Sequence, residues 1–406
     1  MKSEDFCPRV AIINQHGNNY GDDIACYAAV EQVRNIFRDA EITLIFNNPN
    51  EVILGAQPIV IENVQQIDDI LFKKSDIIAL LLDVFGLRMF GGLLKSSGMK
   101  RFEREIEKND VVIVSPGGQN IGKYKDWWYL MQVLSSINGG KSPIFFLNTI
   151  ARSGNALFDW LARFCLKNSE VFVRQKDSYD YVKSVGASVS LGVDTAFSFL
   201  PRHGELGPVE RLNEIVFIPT NLSKFFRGFN AETVEGVVSD IADTLSSESV
   251  PQAFRIRIVP HLHSSSAESD FLNQIKLKIE KNGREVVVDH DVRTFFDYSD
   301  RIAAARVVIS MRYHGVVLSG VHRTPFVGVA YEEKMQYAAA YLGQSDFSIP
   351  VSKWSGDAFK SAVEKVLEKE LNIRDEIGGK LPLLRRLSRL PVDFLAIKYA
   401  VEDVGK

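Results

Sequence analysis

Residues 10–37 read VAIINQHGNNYGDDIACYAAVEQVRNIF, and the order of patterns within them decides the fold. An apolar run at 10–14 stops at a polar, glycine-bearing turn, after which the spacing of apolar residues changes. Tyr27, Val30, Val33 and Phe37 share one face of a helix over 22–37, and Asp22 and Asp23 put negative charge at its positive N-terminus. Strand, glycine turn and helix therefore follow one another. Working outward, short runs rich in Val, Ile and Phe recur at 41–46, 77–82, 111–115, 144–148 and 171–174, separated by longer amphipathic segments. Runs that are apolar throughout suit parallel strands covered on both faces, so the first half reads as βαβ units.

Residues 201–213 collect proline, glycine and charge and read as an interdomain linker. The alternation restarts at 214–219, 254–260, 285–289, 307–310 and 326–330. This predicts an α/β chain of two Rossmann-like domains, 1–200 and 214–355, with parallel sheets facing a cleft. Ligands of such sheets sit beyond the carboxyl ends of the strands. A helical tail follows at 356–406, where Arg385, Arg386, Arg389 and Lys398 stand among leucines. It reads either as a terminal helix packing back on the first domain, the favoured alternative, or as a basic amphipathic membrane-surface segment.

Composition narrows the function. At 406 residues the chain suits two domains, and 46% hydrophobic with 24% charged residues is ordinary for a globular protein. A net charge of -3 supplies no basic field for phosphate backbones, so nucleic acid is not an expected partner. Cys7, Cys26 and Cys165 fit neither a disulfide framework nor a zinc site. With no apolar stretch of signal-peptide or membrane-spanning length, the expected location is the cytoplasm, peripheral at most to the inner face of its membrane.

Five strand-end segments carry candidate chemistry. Asn19-Tyr20-Gly21-Asp22-Asp23 opens the first helix, either as a plain capped turn or as an amide-rich ligand contact. Ser115-Pro116-Gly117-Gly118-Gln119 ends another strand and reads equally as a simple turn. Arg174 closes the run 171–174, where its fork could grip a carboxylate or phosphate, or pair with Asp194. In Ser310-Met311-Arg312-Tyr313-His314-Gly315, an extended segment would point Arg312 and His314 the same way, a fixed cation beside a group that titrates near neutral pH. Lys334, after the run 326–330, could add a point charge for phosphate. His261 and His263 are close in sequence, but no third ligand is apparent and no metal is expected.

Taken in order, Asn19, Gly21 and Asp22, then Gly117 and Gly118, Arg174 and Ser178, Asp194, and Arg312, His314 and Gly315 with Lys334 resemble the motifs of the polysaccharide pyruvyl transferase family. Pro116 and Gln119 depart from it, standing where glycine or apolar residues are commoner. The resemblance implies a fold similar to GT-B glycosyltransferases and transfer of a pyruvyl ketal from phosphoenolpyruvate to a saccharide, with or without a lipid carrier, in cell-surface or exopolysaccharide synthesis. It implies no cofactor beyond the donor substrate. The first domain would then hold the acceptor and the second the donor. Arg312, Lys334 and Arg174 are the implied donor ligands, and His314 is the implied acid. Asp22 is a candidate base, and Asn19, Gly21, Gly117, Gly118 and Asp194 line the acceptor or cleft loops. Two alternatives stay open: a nucleotide-sugar glycosyltransferase on the same fold, and a non-catalytic saccharide-binding subunit.

Overall fold

The computed structural model describes residues 7–17, 19–47, 59, 61–202, 211–222, 229–263, 266–281 and 283–402. These divide into two compact units. Residues up to 17, 25–195 and from 386 onward form the first, and residues 19–24 and 196–385 form the second.

The first unit holds seven parallel strands: β1 (Arg9–Gln15), β2 (Glu41–Phe46), β3 (Val64–Ile67), β4 (Val111–Val114), β5 (Ile144–Asn148), β6 (Glu170–Val173) and β7 (Val189–Leu191). Their order is β3-β2-β1-β4-β5-β6-β7. The second unit holds six: β8 (Glu214–Ile218), β9 (Arg255–Ile258), β10 (Val286–Val288), β11 (Val307–Ser310), β12 (Phe326–Ala330) and β13 (Ser348–Pro350), ordered β10-β9-β8-β11-β12-β13. Both are doubly wound sheets whose strand order reverses once, at β1/β4 and at β8/β11. Strands β4, β5, β8, β11 and β12 are buried at every residue, which is why they read as continuous apolar runs.

One expected strand is a helix. Residues 77–82 lie inside the helix Lys74–Val84. An apolar run of six does not distinguish a strand from a buried helical face, and here Leu and Ala favour the helix. Asp76, at its third position, accepts from the backbone N–H of Lys73 (2.7 Å) and of Ser96 (2.6 Å), fixing where the helix starts. The strand that fills the place beside β2 is the polar β3, VQQI, an edge strand with one buried residue that apolar patterning cannot show.

The expected linker 201–213 is partly embedded, and its residues 203–210 lie outside the described residues. Arg211 Nη1 donates to the carbonyls of Ala303 (3.0 Å) and Ala305 (2.6 Å) and to Thr324 Oγ1 (2.7 Å). Its Nη2 donates to the carbonyl of His322 (2.7 Å). One guanidinium thus satisfies the C-terminal ends of the helices Phe295–Ala304 and Tyr313–Val321, where carbonyls lack partners.

The tail belongs to both units. Helix Gly356–Glu368 lies in the second, and the chain returns to the first from Arg386, where Phe394 packs on Phe172 (5.7 Å) and Val392 and Leu395 are buried. Gly192 lies beneath the Leu387 carbonyl, 2.6 Å from where a Cβ would stand. Among the described residues no helix is long and apolar enough to cross a membrane.

Candidate functional site

In the second unit the strand order reverses beside β11, and the residues after it are locked into one conformation. Ser310 Oγ accepts from the backbone N–H of Arg312 (3.0 Å) and donates to the Arg312 carbonyl (2.9 Å). Gly315 packs so closely that a Cβ there would lie 2.2 Å from Ser310 Oγ. The pattern S-x-R-x-H-G is therefore a single turn in which serine and glycine position arginine and histidine. Arg312 is extended and stands at the N-cap of the helix Tyr313–Val321. His314 is already the second residue of that helix, so strand alternation is not what directs its side chain. Both are buried, Arg312 to 7% and His314 to 6% exposure.

The first turn of the helix Tyr20–Ile36 completes the site, and residues 19–24 group with the second unit. Asn19 Oδ1 accepts from the N–H of Asp22 (2.9 Å), and Asn19 Nδ2 donates to Asp22 Oδ2 (2.8 Å), a reciprocal cap. Asn19 bridges Leu262, and the N–H of Tyr20 donates to the His261 carbonyl (3.2 Å), which anchors the turn to the segment after β9. A Cβ on Gly21 would lie 2.2 Å from His314 Nδ1, so only glycine lets the imidazole rest against this turn. Asp22 Oδ1 is 3.9 Å from His314 Nδ1, too far for a hydrogen bond and near enough for charge to be felt.

The segment 261–268, which sequence reasoning treated only as an improbable metal pair, supplies the rest. Glu268 Oε1 lies 3.5 Å from Arg312 Nη2, and Glu268 Oε2 accepts from the N–H of Leu262 (2.9 Å). Burial raises the Glu268 carboxyl, and Arg312 opposes that rise. His261 Nδ1 is 3.1 Å from the Tyr298 hydroxyl. Burial, reinforced by Arg312 and His314, holds His261 well below the usual imidazole range, so it is neutral. His263 Nε2 lies 2.8 Å from Asp23 Oδ2, and burial pushes the Asp23 carboxyl up to about 6 although His263 pulls it down. Lys334 Nζ pairs with Glu332 (2.7 Å) and sits 5.7 Å from the Tyr313 ring centre. Past the end of β8, Thr220 Oγ1 is buried with no hydrogen-bond partner among the described residues.

The Asp23–His263 pair predicts a pH signature. A carboxyl that titrates near 6 when folded and near 4 when unfolded keeps its proton better in the folded chain, so its contribution to stability falls as pH rises from about 4 through 6. His263→Ala removes the group that opposes this shift. The stability deficit of the variant against the wild type should widen as pH rises above about 6, where the wild-type carboxyl gives up its proton and the variant's still holds its own, measured by urea unfolding at several pH values. A deficit independent of pH would show that the pair contributes packing alone.

In the first unit the strand ends form a separate polar cluster. Asn14 and Leu147 have φ of 64° and 58°, and β1 and β5 each shift register near their carboxyl ends, which re-aims the residues that follow. Asn148 Nδ2 donates to the Ser115 carbonyl (2.8 Å) and to the Tyr129 hydroxyl (3.0 Å), and Ser115 Oγ donates to Gln15 Oε1 (2.6 Å). Gly117 lies against Asn120 and Asn148, whereas Gly118 is open. Arg174 is buried and ion-paired with Asp194, and its Nε donates to Thr149 Oγ1 (2.9 Å). Ser178 Oγ accepts from the N–H of Ile150 (2.9 Å), so Arg174, Ser178 and Asp194 clamp the loop after β5. The structure thus gathers Asn19, Gly21, Asp22, Arg312, His314 and Lys334 in the second unit, and Gly117, Gly118, Arg174 and Asp194 in the first.

Solved structures match along nearly the whole chain at low identity. HepE from Anabaena, in complex with UDP-glucose, is 9% identical with a TM-score of 0.59 and coverage of 97% of this chain and 100% of that one. Trehalose 6-phosphate synthase from Burkholderia multivorans is 12% identical with a TM-score of 0.55, covering 99% and 100%. UDP-N-acetylglucosamine 2-epimerase from Rickettsia bellii is 9% identical with a TM-score of 0.53, covering 96% and 98%. These likenesses establish a GT-B-type fold. No curated protein matches the chain. The family model described as polysaccharide pyruvyl transferase matches residues 19–333, from the Asn19 cap to the helix that carries Lys334, and the chain therefore belongs to the polysaccharide pyruvyl transferase family.

Proposed function

We propose that the protein moves a pyruvyl group from phosphoenolpyruvate onto two hydroxyls of a saccharide and closes a cyclic ketal. The observation that carries this reading is the placement of Arg312 and His314 on one locked turn, with the imidazole against Gly21 and near Asp22. Arg312 and Lys334 are the cations for the donor's carboxylate and phosphate. With Nδ1 of His314 turned to Asp22, its Nε2 gives a proton to the donor's methylene carbon, and the adjacent carbon becomes electrophilic. A saccharide hydroxyl adds there and its proton passes to Asp22. The carbon–oxygen bond to phosphate then breaks, phosphate leaves with the electron pair and takes the proton held by Asp22, and a second hydroxyl closes the ring, returning its proton to His314. Buried Glu268 holds Arg312 in place, and Arg174 with Asp194 shapes the acceptor-side loop. This acid–base scheme calls for no cofactor.

A nucleotide-sugar donor is the rival reading, favoured by the UDP-glucose held by the Anabaena protein of like fold. Phosphate release from phosphoenolpyruvate in the presence of an acceptor saccharide supports the pyruvyl reading. Release of UDP from UDP-glucose without phosphate release from phosphoenolpyruvate would replace it.

Arg312→Ala should weaken phosphoenolpyruvate binding by about 1.5–3 kcal/mol, the range for a hydrogen bond to a charged group. Arg312→Lys should recover little of it, because an ammonium cannot make two parallel bonds. Wild-type affinity of Arg312→Ala in calorimetry would remove this residue from the donor site.

A further inference from the structure

We infer that the helical hairpin at residues 74–94 of the first unit is a docking surface for an anionic lipid bilayer. The hairpin is built with its small side inward. A Cβ on Gly91 would lie 2.3 Å from Asp83 Oδ1 and 2.7 Å from the Ala79 carbonyl, so the short helix Arg88–Leu94 seats its glycine against the helix Lys74–Val84. Close seating of the glycine turns the bulky residues outward: Met89 is 88% exposed, Leu93 83%, Phe85 67% and Phe90 64%. Residues 89–94 contain no polar side chain. A helix that is apolar all round belongs in a core or in lipid, and this one is in neither within the folded chain. Trp160 extends the surface by stacking on Phe85 with ring centres 5.8 Å apart.

Charge selects the occupant. Residues 70–102 contain two carboxylates, Asp76 and Asp83, against six basic residues, in a chain whose net charge is -3. Both carboxylates are buried and engaged, Asp76 with Ser96 Oγ (2.7 Å) and Asp83 with Lys95 (2.7 Å). Lys73, Lys74 and Lys100 are exposed, and Asp69, just ahead of the stretch, is paired with Arg101 (2.6 Å). Just past the stretch Glu103 pairs with Lys95 (2.7 Å), and the exposed apolar face together with the exposed Lys73, Lys74 and Lys100 matches the acyl and headgroup layers of an anionic membrane. A second copy of the chain docked on the same face would set these lysines against each other.

The test is co-sedimentation of the full chain with vesicles of phosphatidylcholine alone, and of phosphatidylcholine and phosphatidylglycerol in equal parts. The chain should pellet with the mixed vesicles and be released by high salt. Phe90→Ser/Leu93→Ser, which removes two largely exposed side chains, should lower partitioning by roughly tenfold or more at unchanged circular dichroism. Lys73→Glu/Lys74→Glu/Lys100→Glu should lose binding to the mixed vesicles. Failure to pellet with either vesicle, or binding indifferent to both variants, would overturn the inference. So would a dimer in analytical ultracentrifugation that Phe90→Ser/Leu93→Ser dissolves, since a second copy would then be the occupant.

Discussion

His314→Ala should leave the protein folded and lower turnover of phosphoenolpyruvate by roughly a hundredfold to ten-thousandfold, the contribution of a positioned acid. The imidazole is held from two sides, by its own helix and by the first turn at Gly21, and little of it is open to water. That geometry fixes a proton donor and does not by itself grip the donor molecule. Binding should therefore fall less than rate, because Arg312 and Lys334 remain and proton transfer is felt in the transition state. The check is a phosphate-release assay beside a calorimetric titration with phosphoenolpyruvate and a circular dichroism spectrum. A folded variant with near-normal turnover would end the assignment. Loss of binding in step with rate would make His314 a phosphate ligand.

The fold was legible wherever a strand was central, because burial on both faces writes an uninterrupted apolar run. It was illegible at the edges. Strand β3 carries two glutamines facing a half-covered sheet margin, and the run 77–82 looks like a strand only because the helix that contains it is apolar on its exposed side as well as on its buried one, with Ile78 open and Ala79 and Leu80 buried. The site was legible in part for a similar reason. Ser310 to Gly315 is local, so its turn chemistry is contained in six letters. His261, Leu262, His263 and Glu268 enter the site through pairings with Tyr298, Asn19, Asp23 and Arg312 respectively, none of them a sequence neighbour. The one local hint was two histidines separated by a single residue after a strand, and metal logic was the wrong question to put to them. Arg174 offered two readings in the sequence, and its burial against Asp194 and Thr149 accounts for the structural one.

Gly21→Ala should damage turnover nearly as much as removal of His314, although it adds one methyl group and removes no functional atom. The new Cβ would stand 2.2 Å from Nδ1, 2.5 Å from Cγ and 2.6 Å from Cβ of His314. Rotation about the histidine side chain could carry the ring away but not its Cβ, which is fixed to the helix Tyr313–Val321. Relief therefore requires the turn at residues 19–24 to move off the helix. That movement takes Asp22 with it and strains the Asn19–Leu262 bridge and the Tyr20 bond to the His261 carbonyl. Overpacking of this kind costs about 1–3 kcal/mol, within what a folded domain survives, so the effect should appear in rate before it appears in folding. Gly118→Ala is the control: its Cβ would meet nothing nearer than 3.9 Å, and turnover should stay within about twofold of wild type if sterics alone decide. The decisive comparison is kcat for phosphate release in the two variants, with urea unfolding to confirm that both are native. Full activity in Gly21→Ala would mean that the imidazole does no work in the place where the turn holds it, and the acid would have to be sought elsewhere in the cluster.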